Sequence, residues 1–147
     1  MAKKVDFTNL KRQVGSCCLQ SEGCLRCDDG NCCINNAKRT IALFEQKRLR
    51  VIANGMETIP SFDTKVYHNI QVVDAVAESL LLCKQCKENH EKDCVINVIR
   101  ASLERVLFGD NIEDYKGTIL QHIMELRMAN EEMADSIMNA YNKIKAV

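Results

Sequence analysis

The chain lacks any apolar run approaching the roughly 18 residues of a membrane-spanning helix, so no membrane partner is expected. The first residues, Met1 to Phe7, place no apolar stretch after their charges, and without a secretory signal the expected location is the reducing cytoplasm. There is one proline, Pro60, and no internal repeat or low-complexity tract. No segment alternates apolar and polar residues as a strand would; Val72-Val73 and Val95-Ile96 are β-branched pairs inside long helical periods. Also missing are a Gly-rich phosphate loop, a Ser nucleophile elbow and an H-E-x-x-H pair, because His90-Glu91 has no second His. Phosphate-loop, serine-hydrolase and zinc-protease chemistry therefore have no foothold.

Net charge is missing too: 20 Lys and Arg meet 20 Asp and Glu. The balance is uneven along the chain. Residues 1–54 hold ten basic against five acidic side chains, a local excess of +5, and residues 55–147 carry the compensating −5.

Cysteine is abundant. Nine in 147 residues is several times ordinary usage, and in a reducing compartment such clusters serve metals or redox chemistry more readily than disulfides. They form two groups, Cys17, Cys18, Cys24, Cys27, Cys32 and Cys33, then Cys83, Cys86 and Cys94.

Between and after these groups the spacing is helical. Ile34, Ala37, Ile41, Phe44 and Ile52 predict a helix over about 34–53, stopped by Asn54-Gly55. A loop with Pro60 follows, and Ser61 to Thr64 offers N-caps for a second helix through Val66, Ile70, Val73, Ala77 and Leu80 to at least Cys83. Ile96, Ile99, Leu103 and Val106 mark a third, ending at Gly109. A fourth, over about 112–145, carries two sets spaced seven apart: Ile112, Ile119, Leu126, Met133 and Ala140, then Lys116, Ile123, Asn130, Ile137 and Ile144. As a heptad, the second set would make Asn130 a register-setting polar residue of a homodimeric coiled coil. Tyr115, Leu120 and Tyr141 widen the stripe, which favours packing within the chain's own bundle.

Cys83, Cys86, His90 and Cys94 form C-x2-C-x3-H-x3-C, three thiolates and an imidazole, a closed tetrahedral set for zinc. An iron–sulfur cluster is the second choice. The retroviral zinc knuckle uses the same ligand types in the same order, with x4 where this chain has x3. On one continuous helix these side chains would share a stripe, but Cys83 and Cys94 would stand about 16 Å apart along the axis. One ion can use all four only if the helix breaks near Asn89. Otherwise Cys83 and Cys94 would be core residues, Cys86 incidental and His90 solvated.

The N-terminal group places six thiols in the seventeen residues 17–33, with Gly23 and Gly30 permitting tight turns. It would hold an iron–sulfur cluster or a second zinc through one of Cys17 or Cys18, then Cys24, Cys27, and one of Cys32 or Cys33, since adjacent side chains diverge. A disulfide-stapled loop is the alternative. Lys38-Arg39 and Lys47-Arg48-Leu49-Arg50 give a basic helix face, without interleaved aromatic residues for base stacking. His68 and His122 each stand alone, partly buried or facing solvent rather than catalytic.

These readings converge on an all-α fold: a Cys-rich segment over 1–33, then a helical domain over 34–147 made of about four main helices, the last of them long. The expected function is that of a non-enzymatic cytoplasmic protein binding zinc or an iron–sulfur cluster, as a metal or redox sensor or an accessory factor. The alternatives are a metal-dependent DNA-binding regulator and an iron–sulfur electron-transfer subunit of a larger enzyme complex. Expected partners are a second copy through the C-terminal helix or another protein, with nucleic acid a lesser possibility.

Overall fold

The computed structural model describes residues 7–15, 17, 32–48, 50–60, 69–85, 94–109 and 118–145. Among them the fold is all-α: α1 (Thr8–Gly15), α2 (Cys33–Lys47), a 3-10 turn (Gly55–Thr58), α3 (Asn69–Gln85), α4 (Val95–Phe108), α5 (Ile119–Ala129) and α6 (Glu131–Lys145). No helix among the described residues is long and apolar enough to cross a membrane.

Helices α3 and α4 are central, as their sequences demand. Both are buried over most of their length, as helices covered on several sides are. Val72, Val73, Ala75, Val76, Ala77 and Leu80 are buried on α3, and every residue of α4 from Val95 to Glu104 is buried. The two pack against each other; α2 covers α4, while α1 and α6 cover α3. Each fully buried Ile, Leu or Val side chain contributes about 1.5–3 kcal/mol.

The N-terminal segment joins this core through a helix that periodicity did not reveal. Phe7, Leu10 and Val14 are buried, and the Phe7 ring meets Phe44 of α2 edge-on at 4.6 Å. At eight residues, α1 is too short for a sustained apolar period to declare it.

Three expectations are corrected. The helix of about 34–53 stops at Lys47, where Arg48 takes a left-handed conformation (φ 55°). Arg50 and Val51 then pair with the start of α4, so this backbone is claimed by a tertiary contact; Asn54 is left-handed too (φ 58°), but it precedes the 3-10 turn. Arg48 and Arg50 consequently lie beyond the helix that carries Lys38, Arg39 and Lys47.

The long C-terminal helix is two helices broken at Asn130, whose backbone is extended (φ −160°, ψ 100°). Its Oδ1 accepts the Met133 N–H at 3.1 Å, so the Asn that would have set a heptad register instead caps α6. Ile123, Leu126 and Ile137 are buried, with Ile119, Met133, Ala140 and Ile144 packed against the same core, which is packing within the bundle. Glu131 and Glu132 in the first turn and Lys143 and Lys145 in the last suit the α6 dipole.

The third correction concerns exposure. Ile70 and Leu120, counted in apolar stripes, are 77% and 67% exposed. With Met124 and Met128, Leu120 lines the face of α5 opposite its buried side.

Candidate metal centre and a buried polar network

Two of the four ligand candidates of the second cysteine group are described. Cys83 lies in the last turns of α3, and Cys94 is the N-cap of α4 with extended backbone (φ −60°, ψ 138°). Since α3 and α4 pack side by side, they cannot be collinear, so Cys83 and Cys94 do not share one straight helix. The expected break near Asn89 falls in 86–93, outside the described residues. Cys86 and His90 lie outside the described residues.

Cys83 and Cys94 are both half-buried and pack against the main core from its edge. An N-cap side chain ordinarily accepts an N–H of the first helical turn. Cys94 makes no such bond; the Val95 N–H is taken by the Arg50 carbonyl at 2.8 Å, and Val51 pairs with Cys94 in an isolated antiparallel bridge. These features fit a metal ligand.

In the first cysteine group, Cys17, Cys32 and Cys33 are described and buried, while Cys18, Cys24 and Cys27 lie outside the described residues. The adjacent pair at 32 and 33 does diverge. Cys32 belongs to the main core and its Sγ accepts the Asn35 N–H at 3.3 Å as the α2 cap. Cys33 sits in a second small core with Ile59, Val98 and Ala101, its thiol directed at the Pro60 carbonyl at 3.9 Å. Cys17 shares the main core with Cys32, and its thiol faces the Gln13 carbonyl at 3.3 Å. A carbonyl neighbour suits a protonated thiol better than a thiolate. Among the described residues, no three His, Cys, Asp or Glu side chains gather where they could hold a metal ion.

The structure also contains a charged cluster that the sequence reading missed. Asn97, Arg100 and Glu104 on α4 and His122 on α5 are all buried. Arg100 donates to Asn97 Oδ1 at 2.7 Å and to Glu104 Oε1, and His122 Nε2 lies 2.7 Å from Glu104 Oε2 and 3.0 Å from an Arg100 nitrogen. A carboxylate only accepts, so the 2.7 Å contact to Glu104 assigns the hydrogen to His122 Nε2, and the Arg100 guanidinium then finds its acceptors in Asn97 Oδ1 and Glu104 Oε1. Burial by itself would raise the Glu104 pKa; Arg100 beside it and the His122 hydrogen bond outweigh that and hold the carboxyl below its ordinary range. His122 is thus neither alone nor solvent-facing. The available signal was Asn97, Arg100 and Glu104 recurring at i, i+3 and i+7, which sets three polar side chains on one face of α4. No His68 comparison arises, because that residue lies outside the described residues.

A second polar seam joins α2 to α4, where Asn36 Nδ2 donates to Ser102 Oγ at 3.0 Å. Neither cluster opens to solvent, so both act on stability rather than on a substrate. No protein-family model, curated protein or solved structure matches this chain.

Proposed function

We propose that this chain is a non-enzymatic metal-binding protein of the cytoplasm, a metal or redox sensor or an accessory factor, whose principal site is Cys83, Cys86, His90 and Cys94. The observation that carries this reading is the side-by-side packing of α3 and α4, with Cys83 near the end of one helix and Cys94 capping the next without a side-chain hydrogen bond to the cap. Zinc is the occupant suited to three thiolates and one imidazole. Ligation there would staple the end of α3 to the start of α4.

The N-terminal cysteines are proposed as a second site, for an iron–sulfur cluster or zinc, with Cys32 rather than Cys33 as the ligand of that pair. A second reading, association with another copy or a protein partner through the C-terminal region, is favoured by the exposed Leu120, Met124 and Met128 of α5. Light scattering of the protein and of its Met124→Glu variant tests it.

The test of the principal site is elemental analysis of the native protein beside Cys86→Ser. Zinc at one or more equivalents, with metal content and melting temperature both falling in the variant, is the expected result, because ligation free energy adds to folding free energy. Equal metal content and stability in the two proteins would overturn it. Absorbance near 400 nm after anaerobic purification would instead indicate a cluster.

A further inference from the structure

We infer that the apolar ridge of α5 docks into a groove between α3 and α6 of a second copy of this chain. This rests on the reading that the α5 face associates with another copy, and it names the surface that receives it. Leu120, Met124 and Met128 recur at i, i+4 and i+8, so they stand in one row about 12 Å long. They are 67%, 61% and 89% exposed. A row of large apolar side chains left in water marks an interaction surface, whereas single exposed ones do not.

The receiving groove has a volume of about 410 Å3, with Ile70, Val73 and Asp74 of α3 and Met133, Ala140 and Lys143 of α6 among its lining. From Met133 to Lys143 it follows α6 for about 15 Å, room for the whole row. Its floor is apolar and incompletely covered: Val73 is buried, Met133 and Ala140 are half-buried against the main core, and Ile70, one turn before Val73 in the same stripe, is open to solvent. The charges match as well. Asp74 and Lys143 form no ion pair among the described residues, so both keep their charge for a partner. At the Met128 end of the ridge, Arg127 is bridged to Glu131 at 2.8 Å and to Asp135 at 3.3 Å, an exposed cluster with one more negative charge than positive. Its carboxylates complement Lys143 and its guanidinium complements Asp74. Every copy carries both halves, so a two-fold pair would bury both ridges and both grooves.

The experiment measures self-association of the full chain by sedimentation equilibrium. Met124→Glu in the ridge and Ile70→Lys in the groove should each weaken it about tenfold or more; both positions are exposed, so the melting temperature should stay near that of the wild type. The decisive sample mixes the two variants. One retains an intact groove and the other an intact ridge, and the two introduced charges are opposite, so the mixture should associate at least about tenfold more tightly than either variant alone. Wild-type association in Ile70→Lys beside dissociation in Met124→Glu, or a mixture no tighter than its components, overturns the groove as receptor and leaves association through α5 standing. A wild-type chain that is monomeric at every concentration removes both.

Discussion

Glu104 and His122, on two different helices, share a 2.7 Å hydrogen bond in which neither side chain has any exposure to solvent. With Arg100 beside them, they join α4 to α5 through charge. Such pairs are costly to bury and costlier to break.

Glu104→Ala should therefore lower stability by about 3–5 kcal/mol, because Arg100 is left buried without its counter-charge. Arg100→Met/Glu104→Leu/His122→Leu together should recover most of that loss, since no buried charge remains. Urea denaturation of the two variants measures the difference; equal losses would mean that the cluster behaves as ordinary core volume.

Two buried carboxyls give opposite pH dependences. Glu104 has a folded-state pKa below its ordinary value of 4.5, so its contribution is complete above that pH and fades as pH falls from 4.5 through the lower folded value. Glu78 is raised by burial on α3, only partly countered by the Asn9 hydrogen bond and by Arg12, so its charge costs stability above its folded value and the cost is relieved as pH falls toward 4.5. Urea midpoints followed from pH 7 to 3 should lose their dependence above 4.5 in Glu78→Gln and retain the loss below it.

Asn130→Ala should destabilise by about 1 kcal/mol, the usual cost of deleting an N-cap. Asn130→Leu should leave the oligomeric state unchanged in light scattering, because residue 130 lies at a helix junction rather than in a coiled-coil seam. A new or tighter dimer in Asn130→Leu would restore the heptad reading.

Gly109 and Gly15 separate torsion from space. A Cβ on either meets nothing within 4 Å, but Gly109 has φ 65° and ψ −134°. Gly109→Ala should cost about 1–3 kcal/mol from backbone strain, whereas Gly15→Ala, at the end of α1, should be neutral or gain about 0.5 kcal/mol. Thermal melts of the two variants distinguish the effects.

Local chemistry was legible wherever a helix is long and its period uninterrupted. The apolar repeats through Val73, Ala77 and Leu80 and through Ile96, Ile99 and Leu103 mark α3 and α4, and Gly109 marks where α4 stops. The placement of Cys94 at a helix start was legible as a condition: C-x2-C-x3-H-x3-C is one site only if the helix breaks, and the spacing alone contains no term for whether it does.

The sequence by itself thus determined that the chain is helical and that its cysteines fall into two groups with ligand-like spacing, because helical period and ligand type are properties of near neighbours. Only the tertiary structure decided that α2 ends at Lys47, that Asn130 splits the C-terminal helix, that Cys32 and Cys33 enter different cores, and that Arg100 and Glu104 meet His122. Each of these depends on a partner distant in sequence: a carbonyl at Arg50, a core beneath α6, a methyl group of Val98, an imidazole on α5. Periodicity records which face of a helix is apolar, while the identity of what covers that face is set by how the other helices pack.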